Sequence, residues 1–243
     1  TSRQRGSEDR DDVALSRWFS GTPLAPGEDE VLDRVLLHDG SPHIHFKAWN
    51  TPDELRLRLL ETVVEELKLT GPQDVGGFEK SLGGTESGNY RYFNVGAAEF
   101  AEQWQILTPM RKKAHGVQAI NRQIHQAFRA QTLDSARRER YRKIPKPMGP
   151  EQIVYGDKVI NIRNHHRDGV YPSEGGQAYL ANGEIGIAVG QFKTKKMNKA
   201  PWLLKVEFSS QPGYQYDFSS RDFGEEGNPF LELAYALTVH KSQ

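Results

Sequence analysis

No cysteine occurs in the 243 residues, so disulfides, thiolate metal sites and cysteine nucleophiles are excluded, and a reducing compartment is permitted. Nor does any apolar run approach the roughly 18 residues of a membrane span. The first twelve residues, TSRQRGSEDRDD, lack the apolar core of a secretory signal and lack an initiator methionine. The reading that follows is a cytoplasmic piece of a longer protein with no membrane partner. Also missing are a G-x-x-x-x-G-K-[ST] loop, an H-E-x-x-H pair, and an acidic pair closing an apolar strand. The nearest approach to a phosphate loop is Gly76-Gly77-Phe78-Glu79-Lys80-Ser81. It places Glu79 where glycine must let the backbone approach phosphate, so it is set aside.

An excess of either charge is lacking too: 32 basic side chains balance 32 acidic ones. Their distribution is uneven. Residues 1–110 carry 11 basic and 19 acidic groups, residues 111–167 carry 14 and 4, and the remainder 7 and 9. A basic block of net +10 between acidic flanks suits a polyanion-binding face, and a solvated helix surface accounts for it equally well. Asn164-His165-His166 offers imidazoles for a metal. Neighbours on a strand point to opposite faces, so an exposed loop pair is preferred and no metal site is assigned.

Along the chain, residues 1–12 are polar and expected to be disordered, and a short helix is expected near Val13–Phe19. His43–Trp49, HIHFKAW, alternates and predicts a strand. Thr51-Pro52-Asp53-Glu54 is a helix start, with Leu55, Leu59, Leu60, Val63, Val64 and Leu67 on one face, so strand and helix would form half of a βαβ unit. The glycine-rich stretch 70–103 reads as an insertion, Trp104–Leu107 as a buried strand, Gly116–Phe128 as a second helix, and 131–150 as a basic helix end running into a proline linker. Beyond Pro150 the pattern turns to short strands: Gly156–Arg163, Glu184–Val189 behind an Asn182-Gly183 hairpin turn, Trp202–Phe208 and Tyr214–Phe218. Together they suggest a small β-barrel. An apolar strand from Leu231 then delivers Thr238, His240, Lys241, Ser242 and Gln243 at its C-terminal edge, the usual site geometry of an open α/β sheet.

Three segments carry a resemblance. LELAYALTVHKSQ (231–243) resembles motif V of superfamily 1 DNA helicases of the RecD-like branch, roughly Y-A-x-T-x-H-K-S-Q-G-S-E-F, and stops before G-S-E-F. QILTPMRKKAHGVQAINRQIHQAFR (105–129) resembles motif IV, L-T-P-M-R…G-x-x-x-L-N-x-x-I-Q, with Ile120 and His125 as departures. YGDKVINIRN and NGEIGIAVG resemble the segment that builds an SH3-like barrel inside the second motor domain.

The resemblance implies an α/β, RecA-like (P-loop NTPase-type, UvrD-like C-terminal) second motor domain with an inserted SH3-like β-barrel. The implied organisation is an N-terminal segment at 1–42, the first part of the motor domain at 43–149, the barrel at 150–226 and a return strand at 227–243. It implies an ATP-dependent DNA helicase whose partners are single-stranded DNA and the first motor domain, and whose cofactors, ATP and Mg²⁺, belong to the full-length enzyme. Arg111 would be the catalytic arginine, binding nucleotide together with Gln243. Thr108, Thr238, His240, Lys241 and Ser242 would contact DNA. An arginine suits the phosphate role, being forked and always charged. With one such residue and no phosphate loop, this chain alone is expected not to hydrolyse ATP. The rival readings are a non-catalytic nucleic-acid-binding module and the motor half of a nuclease–helicase fusion.

Overall fold

The computed structural model describes residues 11–21, 23, 26–27, 30–37, 44–88, 90–138, 142–190, 193, 199–224 and 229–239. The chain divides between Thr51 and Pro52 into two compact units. The first holds helices α1 (Asp11–Ser20) and α2 (Val31–Leu36). Ala14 and Val31 are buried there, with Leu15 and Ile44 packed against them. The strand expected at 43–49 does not form: His43 lies outside the described residues and 44–49 has no regular structure. Its alternation marks no buried face, since Phe46 and Trp49 both stay exposed. The half βαβ unit therefore falls away.

The second unit is mixed α/β. Helix α3 (Pro52–Glu66) turns most of the expected stripe inward: Val63 is buried, and Leu59, Leu60, Val64 and, just past the helix, Leu67 pack partly buried against the core, while Leu55 does not join it. The stretch 70–103, expected as an insertion, instead supplies core. Helix α4 (Val75–Lys80), strands β1 (Gly84–Ser87) and β2 (Tyr90–Phe93), and a 3₁₀ turn at Ala97–Phe100 contribute Phe78, Leu82, Phe93 and Ala97. Phe78 stacks on Phe128 with ring centroids 4.2 Å apart. Gly76-Gly77 thus opens a short helix, and the Gly77 N–H donates to Asp74 Oδ1 at 2.8 Å. That bond and a second from the Thr70 N–H hold the Asp74 carboxyl below its usual range. A carboxylate already occupies the helix start that a phosphate would need.

Strand β3 (Ile106–Thr108) begins two residues later than expected, and Leu107 is half exposed rather than buried. Helix α5 (Val117–Arg137) extends nine residues beyond the expected end at Phe128. Its inward positions Val117, Ile120, Ile124, Phe128, Leu133 and Ala136 explain the length, since a helix continues while its apolar face has something to cover. The supposed linker is partly core: Ile144 and Met148 are buried, and Met148 bridges to Ile153.

Eight further strands follow: β4 (Lys158–Asn161), β5 (His165–His166), β6 (Val170–Tyr171), β7 (Tyr179–Leu180), β8 (Ile185–Gly190), β9 (Leu204–Phe208), β10 (Gln215–Phe218) and β11 (Leu231–Leu233). Six of them form one antiparallel sheet in the order β11-β4-β8-β9-β10-β6. Its two end strands, β11 and β6, do not pair with each other among the described residues, so where a small β-barrel was expected the sheet is not closed. Asn182-Gly183 turns the chain, but not as a two-residue hairpin. The strand before it, β7, pairs with β5, whereas β8 pairs with β4 and β9. The Gly183 and Asn161 backbones satisfy each other's neighbourhood instead, with Gly183 N–H donating to Asn161 O and Asn161 N–H to Glu184 O.

The expected single return strand is also divided. β11 joins the six-stranded sheet, the chain breaks at Ala234-Tyr235, and β12 (Ala236–Thr238) pairs in parallel with β3. One apolar run serves two sheets because its buried residues face two places: Leu231, Leu233 and Ala236 belong to the main core, Ala234 and Leu237 to a smaller cluster around Ile160.

Candidate functional site

The β3–β12 register puts Ala236 opposite Ile106 and Thr238 opposite Thr108. The two threonines thus end adjacent parallel strands at one C-terminal edge. They differ in availability. Thr108 is buried, its hydroxyl donates to His115 O at 2.8 Å and accepts weakly from the Met110 N–H at 3.4 Å. It shapes the loop, so a direct DNA contact through this hydroxyl does not fit the geometry. Thr238 is only partly buried. His240, Lys241, Ser242 and Gln243 lie outside the described residues.

Loop 109–116 folds back on the start of α5: Val117 N–H donates to Met110 O and Gln118 N–H to Arg111 O. Gly116 permits this, since a Cβ there would lie 2.8 Å from the Arg111 carbonyl. Arg111 leaves the loop with its side chain 42% exposed and forms an ion pair, through Nη2, with Glu232 Oε1 on β11. Glu232 is 19% exposed. An arginine held this way binds an oxyanion already, and a phosphate oxygen presents similar chemistry.

Beside Glu232 opens a cavity of about 460 Å³ between α5 and the 150–152 turn, lined in part by Arg122, His125, Arg137, Glu151, Glu232 and Leu233. Glu151 accepts the Leu233 N–H at 2.5 Å. Burial pushes its pKa up to about 7, helped by Glu232 and opposed by that N–H, Arg111 and His125.

Sequence reasoning missed the residues that hold this edge in shape. Asn121, buried on α5, donates to Leu233 O at 2.8 Å and Ala236 O at 3.2 Å, and accepts from Ala236 N–H at 2.7 Å. It satisfies the backbone where β11 breaks into β12. An asparagine amid apolar α5 positions was the available signal, because a buried amide must find partners. Behind it, Arg129 is wholly buried, donating to Asp157 at 3.1 Å, to Glu79 and to Tyr155 O. Asp157 also accepts from Tyr235 Oη at 2.9 Å and the Val154 N–H at 2.8 Å, and lies 2.9 Å from His125 Nε2. Burial raises the Asp157 pKa, but His125, Arg129 and the Val154 N–H outweigh it and hold the group below its usual range. Lys158 is buried as well, donating to Trp104 O at 2.6 Å with the Trp104 ring centroid 4.8 Å away. Burial pulls its pKa down to about 7, against the opposing pull of Glu102.

The basic block is thereby thinner than its count. Arg129 and Lys158 are interior and Arg167 lies across the Phe218 ring at 3.9 Å, paired with Asp222. The exposed remainder includes Lys112, Lys113, Arg122, Arg137, Arg138, Lys143 and Lys146. The expected exposed loop pair is instead strand β5, with His166 exposed and His165 engaged internally: His165 Nδ1 lies 2.8 Å from Arg163 O, and His165 Nε2 accepts from Arg167 Nε at 2.8 Å. This fixes the Nδ1–H tautomer, and burial keeps its pKa low. Among the described residues no group of three or more metal-ligating side chains occurs, and no described helix is long and apolar enough to cross a membrane. No protein-family model matches the chain, and no curated protein matches it.

Proposed function

We propose that this chain is the second motor portion of a superfamily 1, RecD-like DNA helicase that couples ATP hydrolysis to translocation on single-stranded DNA. The supporting observation is the parallel pairing of 106–108 with 236–238, which draws the two motif-bearing segments together at one sheet edge, with Arg111 in the loop above it. Under this reading the β3–β12 pair and α5 are part of a RecA-like domain. The open six-stranded sheet is the counterpart of an SH3-like module, and the protein works in the cytoplasm.

ATP would supply the phosphoryl group and Mg²⁺ its charge neutralisation. Among this chain's described residues Arg111 would be the phosphate-binding group, and its chemistry fits, since it already grips a carboxylate. Thr238 and the exposed lysines and arginines after β3 would follow the DNA backbone. The first motor domain would supply the remaining nucleotide contacts.

Fluorescence anisotropy with a labelled oligonucleotide tests the reading. The chain should bind single strands weakly, with affinity falling steeply between about 50 and 200 mM salt as counterions are released. Tight, salt-insensitive binding, or none at low salt, contradicts it. The purified chain should show no DNA-stimulated ATPase above an Arg111→Ala control.

A further inference from the structure

Arg111 does not stand free at the edge where a phosphate would arrive. Its guanidinium is turned onto Glu232, which β11 carries between the buried Leu231 and Leu233. Those two leucines anchor the glutamate, so the partner is fixed while Arg111, on an exposed loop, is the member that can move. We propose that Glu232 is a positioning residue that parks Arg111 against β11 and yields it only to a polyphosphate able to outcompete a carboxylate. This rests on the reading of Arg111 as a phosphate-binding group.

The same contact has a second consequence, through Glu151. That carboxyl sits in the cavity beside Glu232 and is faced by Arg111 from the loop, by Arg122, His125 and Arg137 from α5, and by the Leu233 N–H from β11. Arg111 favours its ionised form and Glu232 disfavours it. When Arg111 leaves, Glu232 stays behind without its cation and Glu151 loses a favourable neighbour. The Glu151 pKa, already about 7, then rises further. At pH 7 Glu151 takes up a proton as the anion binds. Release of the arginine is thereby coupled to protonation of Glu151 in the same cavity as Glu232, and the resting ion pair returns when the proton leaves.

Inorganic tripolyphosphate without Mg²⁺ is the probe, titrated calorimetrically into the 243-residue chain at pH 7 in two buffers of different ionisation enthalpy. The wild type should bind weakly with net proton uptake. Glu232→Gln removes the competing carboxylate and should bind about fivefold more tightly, the scale of a partly exposed ion pair, with the uptake abolished. Glu232→Asp, shorter in reach, should fall between the two. Glu151→Gln should keep the wild-type affinity within about twofold and lose the uptake. A Glu232→Gln affinity equal to wild type, with Arg111→Ala still weakening binding, overturns the parking role and leaves the phosphate reading standing. Binding undiminished in Arg111→Ala, or absent from every variant, overturns both. Circular dichroism of each variant confirms that a lost signal is not lost fold. Should Glu232→Gln unfold, Glu232→Asp alone decides, since parking requires it to bind more tightly than wild type.

Discussion

Around Arg129 the chain closes two carboxylates and a backbone carbonyl on a guanidinium with no solvent exposure. Around Arg111, among the described residues, it offers one carboxylate to a guanidinium that is 42% exposed. Both arginines belong to the same basic stretch and both face a glutamate. The interior group is fixed from every side: Glu79 is also held by Arg91 at 3.3 Å, and Asp157 by Tyr235 and the Val154 N–H. The rim group can be traded. Desolvation sets the difference, because a buried charge cannot leave its partners without stranding them, whereas water takes over for an exposed one.

The largest expected effect is therefore in the interior. Arg129→Met should destabilise the fold by about 3–5 kcal/mol in chemical denaturation, since it removes the buried cation that Asp157 and Glu79 share. A loss under about 1 kcal/mol would erase the contrast between the two regions. Asn121→Ala comes next, with an expected cost of about 1–3 kcal/mol, because the Leu233 and Ala236 backbone groups lose their partners in a dry site. Hydrogen exchange should quicken at Ala236 before it does in β8 or β9.

Two buried groups give pH signatures of opposite sign. Burial pulls Lys158 down to about 7 in the fold against an ordinary lysine value of 10.5, so the unfolded chain binds the extra proton in between and stability should rise from pH 7 towards 10.5. Lys158→Met should flatten that limb. Glu151 titrates near 7 against 4.5, so here the folded chain binds the extra proton and stability should fall as pH rises from 4.5 to 7. Glu151→Gln should flatten that one, and a denaturation series across both windows reads each. The smallest effect belongs to the rim: Arg111→Ala should change stability by less than about 1 kcal/mol. A larger cost would make Arg111 a structural residue like Arg129.

Local pattern found helices α1, α3 and α5, but not α2 or α4, and the strands of the main sheet apart from β6. The α3 stripe was legible because Leu59, Val63 and Leu67 recur at helical spacing, and β4, β8, β9 and β10 because their apolar residues lie between clear turns. The strand expected at 43–49 shows the limit of alternation, which says nothing about whether a face exists to bury it. The division of 231–238 was hidden for a different reason. Leu231, Leu233 and Ala236 look alike in sequence, and only partners far along the chain, Asn121 among them, decide where one strand ends and another starts. Of the candidate site, Arg111 was singled out through its flanking pattern. Glu232 was not, although a single acid between two leucines of a strand is a plain sign of an outward carboxylate.

The division of that run also bears on how the chain reaches its fold. Residues 231–233 pair with 159–161, and 236–238 pair with 106–108, across very long loops. Closing such loops loses chain entropy before any contact compensates, so these pairings belong among the slow, late events, after the sequential β8-β9-β10 meander has formed. Until then β3 and one side of β4 are open edges, the form in which a folding intermediate sticks to its neighbours. A stretch of eight residues thus acts as the common lock of two sheets, and slow refolding with aggregation at high concentration is the behaviour its placement foretells.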